Sequence, residues 1–400
     1  MTKDDIYRIF DTGGMLEAHF PTYEFREGQL LMADLVRESY HQGAICAVEA
    51  GTGIGKSFAY LAIAALRAQE APDERTVVAT STINLQRQLF EKDLPILLSS
   101  LGIECKTALS VGRSNYICIL RFLQVKADSP LLAADPGSEL YRVESWMRTS
   151  QSGLFNELSI PISGELYSES CCDGDLCPAH SCPYFKECFF FKAKARAREA
   201  QIVISNHHLL FSDAQSRIMS ETEYDEEAVL PAFSHLVIDE AHNIEANASE
   251  YFKDLYDSSA LLRQVHKIQR SSRYSKNSLL DQIGSYCPEI ERVEAVKDLI
   301  HLLVQQVETL DQYLGVVFQK NHYQPTLIKA EHQGRLTDFV TASRAIIETS
   351  ARLKARIDLL VESVKVPSEL ESRAHELKVR SDRIEAMASV LERFCDFESW

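Results

Sequence analysis

A glycine-rich octapeptide between two apolar runs constrains the fold of this chain more than any other feature. It consists of Ala50, Gly51, Thr52, Gly53, Ile54, Gly55, Lys56 and Ser57. The run 44–48 precedes it and the run 59–66 follows it, which predicts a buried strand, a phosphate-binding loop and a helix. The glycines let the loop aim its N–H groups at a phosphate, and the helix N-terminus adds positive potential. A connector that binds nothing is the alternative, which the complete order of strand, loop, Gly-Lys-Ser and helix disfavours.

An Asp-Glu-Ala-His tetrad begins at Asp239, directly after the apolar segment 235–238. This segment predicts a second buried strand, and open parallel sheets place their ligands at the carboxyl ends of the strands. We expect Lys56 to reach the β- and γ-phosphates, and Ser57 and Asp239 to hold Mg²⁺. Glu240 would orient and deprotonate the attacking water. A solvated turn before a helix is the alternative for the tetrad.

These residues resemble the nucleic-acid motors of helicase superfamily 2. Arg26 and Gln29 occupy the place of the element that contacts the nucleotide base in such proteins, although an exposed amphipathic helix would carry the same pair. The segment 76–86 looks like the family's next motif, a strand followed by polar residues that touch the DNA backbone. The resemblance therefore implies ATP and Mg²⁺ as cofactors and single-stranded DNA as partner.

The chain has ten cysteines, and its charged N-terminus shows no secretory signal. No segment approaches the length of a membrane span. We therefore expect a cytoplasmic protein, in which cysteines serve as metal or cluster ligands rather than as disulfides. Cys46, Cys105, Cys287 and Cys395 stand in apolar or helical surroundings and are expected to be small hydrophobic residues.

Four further cysteines follow a distinctive spacing. Cys177, Cys182 and Cys188 are separated by four and five residues, and Cys118 follows the sequence Gly-Arg-Ser-Asn-Tyr-Ile. This pattern resembles the iron–sulfur helicases of the XPD/DinG family, which implies that the four thiolates hold a [4Fe–4S] cluster. Cys172 has a second four-residue spacing and would be able to replace Cys177. A structural zinc site on the downstream cysteines is the alternative, and it leaves Cys118 unexplained.

A basic helix is predicted after the last of these cysteines. Its cations are Lys192, Lys194, Arg196 and Arg198. Because the chain has a net charge of −16, affinity for nucleic acid has to come from such local patches. A solvated helix is the alternative, since the four cations do not share one face. The tripeptide Asn206-His207-His208, after a predicted strand, matches a polar turn of DinG-like proteins and would serve either as a cap or in function.

Three amphipathic helices are predicted beyond the tetrad. Their apolar stripes are Val293, Val296, Ile300, Leu303, Val307, Leu310 and Leu314, then Leu336, Phe339, Ile346, Leu353, Ile357, Leu360 and Val364, then Leu370, Leu377, Ile384 and Leu391. Such stripes need a partner, so an antiparallel bundle is expected, and the family resemblance implies a helical arch here. A dimerising coiled coil is the alternative, disfavoured because Pro325, Gly334 and Pro367 interrupt the helices.

The predicted architecture is α/β, with a RecA-like P-loop core and a parallel sheet, interrupted by a small iron–sulfur domain and followed by the arch. The predicted segments are core at 1–110, iron–sulfur domain at 111–198, core with the tetrad at 199–250, and arch at 251–400. The family's second RecA-like domain is not found, since Gln333-Gly334-Arg335 lacks the spacing of its arginine element. The chain is therefore expected to be an N-terminal portion, inactive for unwinding alone, with a C-terminal partner chain as one source of the second domain.

The resemblance implies a parent activity of ATP-dependent 5′ to 3′ DNA unwinding in repair or replication, acting on single strands and junctions. Two alternatives stay open. One is a non-motor half-protein that binds nucleotide and DNA, and the other is a zinc-stabilised NTPase. A nuclease has little support, because the acids for two-metal hydrolysis occur only as Asp239 and Glu240.

Overall fold

The computed structural model of the protein covers most of the chain. The described residues are 1–20, 23–51, 53–271, 273–275, 277–317, 337–367 and 370–395. Among the residues discussed above, those outside this set are Thr52, Pro325, Gln333, Gly334, Arg335 and Leu336.

Contacts within the chain define two compact units. The α/β unit contains Met1–Cys118, Thr149–Pro161 and Pro183–Lys253. The helical unit contains Ile119–Arg148, Ile162–Cys182 and Asp254–Trp400. This division differs from the predicted domain boundaries, because the segment 111–198 contributes to both units, and the boundaries stay a prediction.

Most of the described chain is helical. The helices are α1 (Lys3–Phe10), α2 (Met15–His19), α3 (Glu27–Gln42), α4 (Lys56–Glu70), α5 (Ile83–Gln88), α6 (Leu94–Leu101), α7 (Ile119–Asp128), α8 (Pro130–Ala134), α9 (Glu139–Thr149), α10 (Gly164–Ser170), α11 (Phe189–Glu199), α12 (His207–Ser220), α13 (Ile244–Phe252), α14 (Ser258–Gln269), α15 (Leu279–Gly284), α16 (Ile290–Val317), α17 (Thr337–Ser363) and α18 (Glu371–Cys395). A π-helical turn at Leu89–Asp93 joins α5 to α6. No described helix is both long and apolar enough to cross a membrane.

A parallel sheet forms the centre of the α/β unit. Its strands are β1 (Thr76–Thr80), β2 (Thr107–Leu109), β3 (Ile202–Asn206) and β4 (His235–Ile238), in the order β2-β3-β1-β4. Strand β1 pairs with both β3 and β4, so that Val77 lies opposite Val203 and Leu236. The predicted strands near residues 76, 202 and 235 are therefore present, and their carboxyl ends lie along one edge of the sheet. The burial predicted for 235–238 is wrong, because β4 is the last strand of the described sheet and is only partly buried.

Helix α4 is the main helix of this core. Its residues from Ala59 to Ala65 are all buried, and they join the same apolar cluster as Val78, Ile202 and Ile204 of the sheet. A helix that is apolar on every side is stable only inside a domain. The burial of α4 therefore anchors the N-terminal end of the helix, where the predicted phosphate loop ends.

The predicted buried strand at 44–48 is wrong. Among the described residues, this segment forms no strand, Ile45 has a relative exposure of 102%, and Cys46 is exposed as well. A strand forms only where another segment of the chain hydrogen-bonds to it, and an apolar run by itself does not show whether such a segment is present. The described sheet ends at β4, where Leu236 is 40% exposed.

The helical unit has a separate apolar core. Helices α16, α17 and α18 bury the predicted stripes, with help from α14 and α15. The buried stripe residues are Val293, Val296, Ile300, Leu303, Val307, Leu310, Phe339, Ile346, Leu353, Ile357, Leu360, Val364, Leu377, Ile384 and Leu391. Leu314 and Leu370 are partly buried against the same core. Three predicted helices therefore pack as neighbours, although α17 ends at Ser363, before Pro367.

Candidate functional site

The phosphate loop requires glycine at two described positions. Gly53 has φ +83° and Gly55 has φ +87°, both in the left-handed region that favours glycine. A Cβ on Gly55 would also clash with Nε2 of Gln29. Helix α4 begins directly afterwards at Lys56, so its N-terminus faces the loop.

The remaining loop residues surround this turn. Ala50, which stands where the usual pattern has a glycine, packs partly buried against the core of the α/β unit. The side chain of Ile54 lies beside Gly51. Ser57 is the second residue of α4 and is half-buried.

Arg26 and Gln29 both contact the loop backbone. Arg26 donates from Nη1 to the carbonyl of Gly53. Gln29 is buried and donates from Nε2 to the carbonyl of Gly55 at 2.9 Å, while its Oε1 accepts from the Tyr23 hydroxyl at 3.3 Å. Both side chains therefore hydrogen-bond the loop and are not simply the polar face of an exposed amphipathic helix. Their contact with the nucleotide base stays a prediction.

The tetrad lies beside the loop. Asp239 follows β4, and its Oδ2 accepts a hydrogen bond from the Thr80 hydroxyl at 3.1 Å. Burial raises the pKa of Asp239 above its ordinary value. Glu240 places Oε1 3.6 Å from Nζ of Lys56, and its Oε2 lies 3.3 Å from Nδ1 of His242. The structure thus brings the carboxyl end of β4 to the N-terminus of α4.

His207 is a member of this site that sequence reasoning did not assign. The residue is buried at the start of α12, and its Nε2 lies 2.9 Å from the carbonyl oxygen of Asp239. Asn206 caps the same helix by accepting from the backbone N–H of Leu209 at 2.9 Å. The available signal was a polar turn directly after a buried strand, which marks the ligand edge of a parallel sheet.

A second concave region of the α/β unit is lined by aromatic and basic side chains. The cleft has a volume of about 660 Å³. In its wall the guanidinium of Arg113 lies 4.3 Å from the ring centroid of Phe190, and Tyr116 meets the same ring edge-on at 5.7 Å. Ser81 and Ile83, which follow β1, complete the wall beside them. The cleft therefore combines aromatic faces, a cation and the segment predicted to contact DNA.

The predicted basic helix is α11, and two of its four cations are paired with an acid. Lys194 and Arg198 both pair with Glu227. Lys192 and Arg196 are exposed. The two paired cations are four residues apart and lie on one face of the helix, and that face meets an acid within the same unit.

The predicted cluster ligands fall in both compact units. Cys118 and Cys188 belong to the α/β unit, whereas Cys177 and Cys182 belong to the helical unit. All four are half-buried, and Cys172 is buried. Within the described ranges, no three or more His, Cys, Asp or Glu side chains are grouped as a metal site.

Known proteins resemble this chain in part. The family described as DEAD_2 matches residues 176–255, which include the tetrad. The "ATP-dependent DNA helicase YoaA" of Haemophilus influenzae is 33% identical over 251 residues, 62% of this chain and 38% of that protein. The "ATP-dependent helicase DinG" of Mycobacterium tuberculosis is 35% identical over 237 residues, 55% of this chain and 34% of that protein.

A third relative has a different name. The "3'-5' exonuclease DinG" of Bacillus subtilis is 31% identical over 233 residues, 58% of this chain and 24% of that protein. The matches span less than half the length of each of these three proteins. Over part of its length, which includes the tetrad, the chain is therefore similar to proteins named DinG and YoaA.

Proposed function

We propose that the chain is the nucleotide- and DNA-binding part of an ATP-dependent DNA helicase of the DinG type, with 5′ to 3′ unwinding as the activity of the complete motor. The observation that carries this proposal is the position of Lys56 and Glu240, at 3.6 Å, beside Asp239 at the carboxyl end of β4. A lysine at a helix N-terminus with two acids opposite is the arrangement that phosphoryl transfer to water requires.

Each residue of the nucleotide site has a role in this proposal. Ser57 and Asp239 supply a hydroxyl and a carboxylate, the oxygen donors that suit Mg²⁺, which neutralises phosphate charge when bound. Lys56 is loosely paired with Glu240, so phosphate oxygens compete well for its ammonium group. Glu240 then accepts a proton from the attacking water. Arg26 and Gln29 hydrogen-bond the carbonyls of Gly53 and Gly55 in the loop, and they are proposed to contact the nucleotide base.

Nucleotide binding tests this proposal directly. Lys56→Ala removes charge-assisted hydrogen bonds worth about 1.5–3 kcal/mol. We therefore expect a fluorescent ATP analogue to bind about 10–100-fold more weakly in an equilibrium titration with Mg²⁺. Lys92→Ala, at an exposed lysine of the same unit, is the matched control. Equal affinity of the wild type and Lys56→Ala would overturn the proposal.

Single-stranded DNA is proposed to occupy the aromatic cleft of the α/β unit. Bases stack on aromatic faces with little regard to sequence, and arginine adds a cation–π contribution. Phe190 and Arg113 offer both, and the guanidinium of Arg113 would contact phosphate together with Ser81. The net charge of −16 makes such a local site necessary for DNA affinity.

Arg113→Gln tests the cleft. We expect the affinity for an oligothymidylate to fall about tenfold, measured by fluorescence anisotropy at several salt concentrations. The slope of log affinity against log salt concentration should decrease in magnitude by about 1, the value for one phosphate contact. Arg148→Gln removes the same charge from an exposed site and should leave the affinity unchanged. An unchanged salt slope in Arg113→Gln would place the DNA elsewhere.

An iron–sulfur cluster on Cys118, Cys177, Cys182 and Cys188 is a separate proposal. Its support is the cysteine spacing and the family resemblance. The described side chains do not assemble a metal site, so we assign no step of the mechanism to the cluster. Protein purified without oxygen is expected to contain iron and sulfide, and Cys182→Ser to lose both. Zinc in a colourless protein would favour the structural zinc alternative instead.

The wider organisation is proposed on the same resemblance. It comprises an iron–sulfur domain at 111–198, a helical arch at 251–400, a second RecA-like domain from further chain or a partner, and action in the cytoplasm on single strands and junctions. The helical core built from α16, α17 and α18 supports the arch. Strand-displacement assays with the chain alone and with an added second domain test this organisation.

A further inference from the structure

We propose that His207 is a positioning residue for the tetrad: it holds the peptide between Asp239 and Glu240 so that both carboxylates face the nucleotide. The inference rests on the proposed function, since it assumes that this edge of the sheet binds Mg²⁺ and nucleotide. His207 is the first residue of α12, directly after β3, so the proposal adds a third segment to the phosphate loop and the residues that follow β4.

The hydrogen bonds of His207 define its protonation pattern. Asn247 presents its amide Nδ2 to Nδ1 of the ring at 2.9 Å. An amide N–H donates, so Nδ1 accepts and the ring proton is on Nε2. That proton is donated to the carbonyl oxygen of Asp239 at 2.9 Å. Asn247, on α13, therefore makes His207 a donor toward the tetrad.

The accepted carbonyl lies in the peptide plane that leads into Glu240. Glu240 has φ +53°, a left-handed conformation that is uncommon and strained for a residue with a side chain. Such a conformation persists only when surrounding contacts hold it. The bond from His207 restrains rotation of this plane, and the carboxylate of Glu240 thereby stays 3.6 Å from Nζ of Lys56.

The tetrad is thus held by two neighbouring strands. Thr80, at the end of β1, donates to the carboxylate of Asp239, whereas His207, just beyond β3, donates to the carbonyl of the same residue. The start of α12 is itself fixed, because Asn206 donates from Nδ2 to Oε1 of buried Gln86 at 3.2 Å. Loss of the histidine donor would leave the side chain of Asp239 restrained while freeing the peptide that orients Glu240.

Two isosteric substitutions separate the two ring nitrogens. His207→Gln places an amide nitrogen near the position of Nε2 and retains the donor to Asp239. His207→Asn places an amide near Nδ1, which retains a partner for Asn247 but removes that donor. His19→Asn, at an exposed histidine of the same unit, controls for the substitution itself.

The readout is the affinity of the full chain for a fluorescent ATP analogue with Mg²⁺ and with EDTA, alongside melting temperature and ATP turnover. In His207→Asn we expect the Mg²⁺-dependent gain in affinity to fall about 10–100-fold, the range typical of outer partners of a metal ligand, and turnover to fall with it. The affinity in EDTA and the melting temperature should not change. His207→Gln should recover most of the loss.

The outcomes are distinguishable. If the wild type and Lys56→Ala bind the analogue equally, the proposed function fails and this inference fails with it. If Lys56→Ala loses binding but His207→Asn retains the wild-type response to Mg²⁺, the proposed function stands and the inference is overturned. Equal losses in His207→Asn and His207→Gln, with lower melting temperatures, would make His207 a packing residue and also overturn it.

Discussion

Charged pairs in the two units of this protein differ in how completely they are satisfied. In the α/β unit, Lys56 and Glu240 are 3.6 Å apart, with exposures of 28% and 27%. In the helical unit, Arg380 and Glu376 form two hydrogen bonds, with exposures of 5% and 12%. Pairs of the first kind contribute little to stability, whereas removing one member of the second kind leaves a buried charge alone.

The pKa values of Glu376 in the helical unit and Asp239 in the α/β unit are shifted in opposite directions. Burial works to raise the pKa of Glu376, but the charges of Arg380, Arg373 and Arg121 outweigh it and hold the pKa at about 2. Asp239 is half-buried, its side-chain partner is the hydroxyl of Thr80, and burial raises its pKa. An acid without a full cationic partner gains from an external cation. This difference is the one expected between a structural network and a ligand-binding site.

The largest expected effect on stability is at Glu376. Glu376→Gln removes the charge that faces Arg373 and Arg380, and we expect the free energy of unfolding to fall by about 3–5 kcal/mol. Trp146 lies on α9 of the helical unit, so urea unfolding followed by tryptophan fluorescence in a Trp400→Phe background reports on that unit. Glu362→Gln, whose side chain is 67% exposed, should change the value by less than about 1 kcal/mol. Similar losses in both variants would erase the contrast between buried and exposed pairs.

Acid should remove the same contribution. Glu376 has a folded-state pKa of about 2, below its ordinary value of 4.5. Its stabilisation is therefore fully present above the ordinary value and is lost as the pH falls toward about 2. We expect the difference in unfolding free energy between the wild type and Glu376→Gln to shrink as the pH is lowered from 7 through this range. A difference independent of pH would show that the effect is steric.

A smaller effect is expected where α18 holds the loop before Cys177. Arg383 donates to Asp173 at 2.6 and 2.8 Å and to Asp175 at 2.6 and 3.1 Å. Arg383→Gln should lower the free energy of unfolding of the helical unit by about 1.5–3 kcal/mol.

The matched control is Arg393→Gln, at a side chain that is 68% exposed, which should cost less than about 1 kcal/mol. Limited proteolysis adds a local test, because the arginine holds both acids of the loop. New cleavage near residues 173–182 is expected in Arg383→Gln alone, and equal resistance of both variants would show that the loop is held by other contacts.

The smallest effect on stability is expected at Glu240. Glu240→Gln removes a loose pair with Lys56, so thermal unfolding followed by circular dichroism should change by less than about 1 kcal/mol. In an assembly that hydrolyses ATP, the same substitution should lower turnover about 10²–10⁴-fold, since a general base is lost. A large loss of stability would make Glu240 a structural acid like Glu376.

Local patterns along the chain were sufficient to predict several parts of this protein. The phosphate loop and the start of α4 depend on consecutive residues, because glycines and a helix N-terminus form within one short segment. The stripes of α16, α17 and α18 depend on the helical period of the sequence, so their buried faces follow from spacing alone. The short apolar run 235–238 predicted a strand before the tetrad, and β4 spans these residues.

The fold itself decided the contacts between distant segments. Glu227 pairs with both Lys194 and Arg198, and His207 contacts the carbonyl oxygen of Asp239. Neither contact has a signal in spacing, because each joins residues of separate elements. The exposed segment 44–48 shows the converse, since an apolar run is buried only where other strands accept it. Sequence alone thus predicted which residues are candidates for the chemistry, and tertiary structure decided which of them are paired, since burial and hydrogen bonding depend on neighbours far along the chain.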